Sequence, residues 1–199
     1  MSQPKTLLQM AGADLTPAAL SDSVVVTIDQ QNEYVTGMVP LPGVEMALKE
    51  GATVLERARA AGTPIIHVVH QGGKGGPFDL DGPGGQLAEA VAAQDGEVLV
   101  KKPLPNAFAK TTLKDEIEKT GRKTLIITGY MTHMCVSSTV RAALDLGYST
   151  TVVADACATR SLPTHDGGVI DAAALHIAAL TELGDRFAVI VDKADKLGA

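Results

Sequence analysis

Three short apolar runs in this sequence lead into residues able to do chemistry. Val24–Ile28 ends at Asp29, Val98–Val100 runs into Lys101 and Lys102, and Leu125–Thr128 leads through Gly129 to Cys135. An acid, a base and a thiol are what acyl transfer through a cysteine needs. A carboxylate can take the thiol proton and later hand it to a leaving amine. Cys135 falls in the first turn expected of a helix, where unpaired backbone N–H groups and the helix dipole favour an anion and lower a thiol pKa. Each residue also has a plainer reading. A free cysteine is often a small buried hydrophobe, Asp29 could cap a loop through backbone N–H groups, and lysines mostly lie on the surface. Spacing alone does not choose between Lys101 and Lys102. Cys157 also stands at a strand end, but no helix start follows it, and it reads as structural.

The elements that must position these residues alternate along the chain. β-Branched runs predict strands at Val24–Ile28, Pro64–Val69, Val98–Val100, Leu125–Thr128, Thr150–Ala154 and Phe187–Val191; continuous apolar runs of this kind suit strands buried on both faces. Between them, helices are expected over Val44–Ala61 with Gly62 as its cap, Thr111–Thr120 behind a threonine cap, Thr132–Leu146 stopping at Gly147, and Val169–Leu183 closed by Gly184,. This rhythm predicts a three-layer α/β domain with a parallel sheet, spanning residues 1–199 as one unit. Ligands on such sheets bind beyond the carboxyl ends of the strands, where strand order reverses; Asp29, the Lys101–Lys102 pair and Cys135 all follow such ends. The stretch Gly72–Gly85, with seven glycines and two prolines, reads as a flexible loop on the substrate side. It lacks the spacing of a phosphate-binding loop.

Composition narrows the class further. Aromatic residues are 3% of the chain and Trp is absent, so the core must be aliphatic. A net charge of −6 argues against a nucleic-acid partner, which wants a basic face,. Two cysteines cannot form a disulfide framework,. No signal-peptide pattern and no membrane-spanning run is visible, so a soluble, cytoplasmic protein is expected.

The motifs around the three residues carry a resemblance. Asp29-Gln-Gln-Asn-Glu-Tyr34 resembles the Asp-x-Gln-Asn-(Asp/Glu)-(Phe/Tyr) signature of the isochorismatase-like cysteine hydrolases. Lys102-Pro-Leu-Pro-Asn-Ala-Phe108 is similar to their Lys-x-x-x-(Ser/Asn)-Ala-Phe segment, which selects Lys102 over Lys101, and Gly129-Tyr-Met-Thr-His-Met-Cys-Val136 to their nucleophile turn. The resemblance implies a six-stranded parallel Rossmann-type sheet ordered 3-2-1-4-5-6 and a catalytic triad of Asp29, Lys102 and Cys135. It also implies a cis peptide between Tyr130 and Met131, and an oxyanion hole from the backbone N–H groups of Met131 and Cys135. Gln31, Tyr34, Phe108 and Tyr130 are the expected substrate-binding residues, with Phe78 helping to shape the pocket.

The implied activity is hydrolysis of a C–N bond in a small molecule through a Cys135 thioester. Homo-oligomers are common in such a family, and one is expected here. The vinyl-ether-cleaving isochorismatases do not rely on a nucleophilic cysteine, so Cys135 favours C–N chemistry over theirs. Nicotinamidases carry a metal site after the second strand with an Asp-x-His pattern. Here that strand holds His67 and His70, three apart and so on opposite faces, and neither a metal nor a cofactor is expected. His67 reads as a core or interface residue, His70 as a pocket residue, and His133 as a bystander to Cys135. A non-catalytic scaffold and a redox sensor with Cys157 as resolving thiol complete the alternatives.

Overall fold

The computed structural model describes residues 3–199. Six strands form one parallel sheet: β1 (Ser23–Ile28), β2 (Ile65–His70), β3 (Val98–Lys102), β4 (Thr124–Tyr130), β5 (Ser149–Ala158) and β8 (Val189–Val191). Their spatial order is β3-β2-β1-β4-β5-β8. Counting only the sheet's own strands, this is the expected 3-2-1-4-5-6 order. The chain winds outward from β1 in one direction and from β4 in the other, so the switch point lies between these two neighbours.

The β1 run is buried at every position because it is covered on both sides. Period-two alternation sends Val25 to one core and Val24, Val26 and Ile28 to the other,. The first core lies under α2 (Val44–Ala61), which supplies Val44, Ala47, Leu48, Val54, Leu55 and Ala58. The second packs α3 (Leu113–Lys119), α4 (Ser137–Asp145) and part of α5 (Ala172–Arg186) against the opposite face. A four-residue helix, α1 (Leu7–Met10), precedes the sheet and packs against α5.

Several boundaries differ from the sequence expectation. Helix α3 begins at Leu113, and Thr111 Oγ1 accepts from the Leu113 N–H where a Thr-capped start at Thr111 was expected. The expected helix Val169–Leu183 begins instead at Ala172, because the Asp171 side chain accepts the Ala174 N–H and sets the start there,. Val169–Ile170 (β7) pairs with Leu162–Pro163 (β6) in a small hairpin. Gly184 lies inside α5 rather than closing it, since Leu183 packs into the core and tertiary burial outweighs the local cost of a helical glycine,. Strand β5 runs on from Ala154 to Ala158, and its register against β4 shifts between Ile127 and Gly129. At Gly129, φ is +118° and a Cβ would lie 2.0 Å from the Ile28 carbonyl oxygen, so only glycine lets β4 approach β1 at the switch point,.

Candidate functional site

Asp29 is the first residue past β1. Its N–H extends the ladder to the Val68 carbonyl at 2.8 Å, while a φ of +52° puts it in the left-handed region, which aspartate tolerates better than most residues,. Lys102 is the last residue of β3, two strands from β1. Crossing that span, about 10 Å, takes a long side chain, and Lys102 lies fully buried along its length. Its Nζ stands 2.7 Å from Asp29 Oδ2 and 3.2 Å from Cys135 Sγ. The three residues nominated from sequence therefore meet at one point, drawn from the ends of β1, β3 and β4. Asp29 and Lys102 are inaccessible, and Cys135 is 5% exposed.

The local setting of Cys135 differs from expectation. Residues Thr132–Val136 wind as a single π turn, in which the Val136 N–H reaches back five residues to the Met131 carbonyl at 3.2 Å,. Helix α4 starts only at Ser137, so Cys135 precedes its first turn. The thiol is not acidified. Burial, reinforced by the Asp29 charge and opposed by Lys102, pushes its pKa up to about 12,. Burial likewise raises Asp29 to about 6 against the pull of Lys102. Asp29 Oδ1 has no hydrogen-bond partner among the described residues. With a carboxylate, an ammonium and a thiol, the trio is neutral overall, which is the state a water-excluded site favours.

The other nominated residues divide. Tyr34 follows Asp29 in a short turn, Asn32–Tyr34, and is buried against Phe78 and Tyr130 with ring centroids 4.9 and 5.8 Å apart. Burial first, then the charges of Asp29 and Cys135, raise its phenol pKa, so it stands beside the trio. Tyr130 is fully enclosed and packs in the first core beside Tyr34. Gln31 is also enclosed. Its Nε2 donates to the carbonyls of His70 (3.0 Å) and Gly85 (2.7 Å), and its Oε1 accepts the His70 N–H (2.8 Å). It thus ties the end of β2 to the glycine-rich loop. That loop is a tied structure: Asn32 donates to Pro83, and Phe78 sits edge-on to His70 at 5.2 Å. Phe108 stacks on Tyr148 at 5.8 Å and borders Ala142, Asp145 and Leu146 at the carboxyl end of α4. The Asn-Ala-Phe segment turns its aromatic ring into the packing of α3 and α4.

The Tyr130–Met131 peptide is cis, as the resemblance implied. His67 is a fully buried core residue, bonded to Thr27 Oγ1 (3.0 Å) and Glu97 (2.8 Å). His133 bonds to Thr159 Oγ1 rather than to Cys135. Arg160 is a residue sequence reasoning passed over. It follows β5 by two positions, and ending that strand at Ala154 hid it from a search of strand ends. Its Nε is buried without a partner among the described residues, and its charge reaches Tyr34 and His133.

A family model for the Isochorismatase domain matches residues 23–195. The chain belongs to the isochorismatase family. Among solved structures, an isochorismatase from Pseudomonas putida KT2440 superposes with a TM-score of 0.93 at 41% identity, covering 98% of this chain and 100% of that one. A secreted isochorismatase effector of Verticillium dahliae is 36% identical over 94% of this chain and 96% of its own length. Maleamate amidohydrolase of Pseudomonas putida is 30% identical over 74% of this chain and 77% of its own. This isochorismatase-family chain is accordingly a relative of hydrolases that include amidohydrolases. No helix among its described residues is long and apolar enough to cross a membrane.

Proposed function

We propose that this protein hydrolyses a C–N bond of a small molecule, with Asp29, Lys102 and Cys135 as its catalytic residues. One observation carries the reading: the Lys102 ammonium lies within 3.2 Å of both the Asp29 carboxylate and the Cys135 sulfur, in a site where both charged groups are buried. Moving the thiol proton to Asp29 Oδ1 keeps the net charge of the trio at zero. It also removes the anion that helps hold the thiol pKa high, leaving Lys102 facing the thiolate alone. Acidity is thereby switched on at the moment of attack rather than stored in a resting thiolate.

The Cys135 sulfur then forms a bond to the carbonyl carbon, and the carbonyl π pair moves to oxygen. The backbone N–H groups of Met131 and Cys135 receive that oxyanion; such donors are each worth about 3–4 kcal/mol in acyl transfer. Collapse breaks the C–N bond, and the Asp29 proton leaves with the amine. Water attacks the thioester, giving its proton to Asp29, and the acid departs as Cys135 regains its hydrogen. The sum is amide plus water giving acid plus amine. The buried Arg160 Nε, without a partner among the described residues, supports a substrate that carries an anionic group near the scissile amide, as maleamate does for the relative named above.

The test is a panel of small amides, with maleamate among them, incubated with wild type and with Cys135→Ala. Release of ammonia or amine by wild type alone, with an acyl mass on the Cys135 peptide after acid quench, is the expected result. Equal turnover by both proteins would overturn the reading.

A further inference from the structure

The nucleophile turn is tied to a helix that contributes nothing to the trio. Thr132, the first residue of the π turn, is fully buried, and its Oγ1 lies 3.1 Å from the Ala158 carbonyl and 2.9 Å from His176 Nδ1. A hydroxyl has a single hydrogen. The carbonyl can only accept, so that hydrogen goes to Ala158 and the imidazole must donate its Nδ1–H to Thr132. His176 Nε2 makes no hydrogen bond among the described residues. The ring borders a cavity of about 640 Å³ that also touches Cys157, Asp155 and the amino ends of α2 and α5. The relay His176–Thr132–Ala158 thus joins α5, the nucleophile turn and the end of β5 at one oxygen. Thr132 is flanked by Met131, whose carbonyl closes the turn onto Met134 and Val136.

Resting on the proposed role of Cys135, we infer that His176 is a positioning residue for the nucleophile. Its Nδ1–H holds Thr132, and Thr132 sets where the turn presents the Cys135 sulfur to Lys102. No other side-chain hydrogen bond in the described residues links α5 to this turn. Loss of the donor cuts the tie to α5 and leaves Thr132 held by its bond to the Ala158 carbonyl alone. A displacement of the order of 1 Å at a reacting atom is enough to cost up to about a hundredfold in rate.

The experiment compares iodoacetamide alkylation of Cys135 and Cys157 by peptide mass spectrometry in six proteins: wild type, His176→Leu, His176→Asn, Thr132→Val, the Leu/Val double variant and Lys102→Ala. Asparagine keeps an N–H at the δ position, so it restores the wild-type Cys135 rate, while leucine lowers it about tenfold or more. Cys157 is the internal control. A merely loosened fold speeds both thiols, whereas lost positioning slows Cys135 alone. In the Thr132→Val background the leucine substitution has no further effect, because the path runs through the hydroxyl. Wild-type Cys135 rates in His176→Leu, or additive losses in the double variant, would overturn the inference. Lys102→Ala separates the two claims. If it leaves the Cys135 rate unchanged, the catalytic reading itself fails; if it slows Cys135 while His176→Leu does not, only the positioning role fails.

Discussion

The Lys102 ammonium lies 3.2 Å from the Cys135 sulfur although the two residues come from β3 and the turn after β4, with β2 and β1 between their strands. The contact exists because the carboxyl ends of the strands converge at the switch point and because the buried lysine stem spans the distance. It makes the reactivity of the thiol depend on a charge held by a different part of the chain.

That dependence sets the pH profile. In the proposed mechanism Asp29 acts as base only when ionised, and burial raises it to about 6, so kcat/KM on a working amide rises with pH through an apparent pKa near 6. In Asp29→Asn the acidic limb disappears and the rate falls by about 10²–10⁴. Retention of the limb in that variant would assign it to another group.

Gln31 supplies three hydrogen bonds that close the glycine-rich loop onto β2. Gln31→Leu leaves Gly85 and both backbone groups of His70 unpaired, at a cost of about 2–4 kcal/mol. Chemical denaturation reads this loss. The variant's KM rises more than its kcat falls, since Phe78 and Tyr34 are displaced while the trio stays in place.

Phe108 distinguishes packing from substrate contact. With its ring stacked on Tyr148, Phe108→Leu costs about 1 kcal/mol of stability and leaves kcat and KM within about twofold of wild type. A large change in KM would return this residue to the substrate site.

Glu97 carries a separate prediction about acid stability. Burial disfavours its charge, but Arg59 (2.7 Å), the Gln94 N–H (2.8 Å) and His67 (2.8 Å) outweigh it and hold the pKa down to about 2. A depressed carboxyl stabilises the fold above its unfolded pKa, and that contribution is lost as pH falls towards the folded value. Glu97→Gln is therefore less stable than wild type at pH 7, by about 1–3 kcal/mol, and the gap closes between pH 4.5 and 2. Thermal melts of both proteins across that range measure it.

Much of this was legible in the linear chain. The apolar runs at Val24–Ile28 and Leu125–Thr128 could only be strands buried on both faces, and their spacing with helical segments dictated a parallel sheet. Motif order at the strand ends singled out Asp29, Lys102 and Cys135. These signals are local, because burial pattern and turn chemistry act over a few residues.

Other features required the folded molecule. Whether Cys135 is acidified depends on a balance between burial and two charges brought from distant strands, and a helix start read from sequence gave the wrong sign. Gln31, Tyr130 and Phe108 sit in motifs that invite a substrate role, yet their directions are set by what packs beside them: the loop at Gly85, the ring of Tyr34 and the ring of Tyr148. Arg160 was hidden because β5 runs four residues past its β-branched stretch, held there by renewed pairing with Gly129 and Tyr130. The His176–Thr132 bond joins residues 44 apart in sequence. Residue type and local pattern determine which elements form; only their packing decides which polar atoms meet, because an electrostatic or hydrogen-bonding partner is chosen by distance in space and not along the chain.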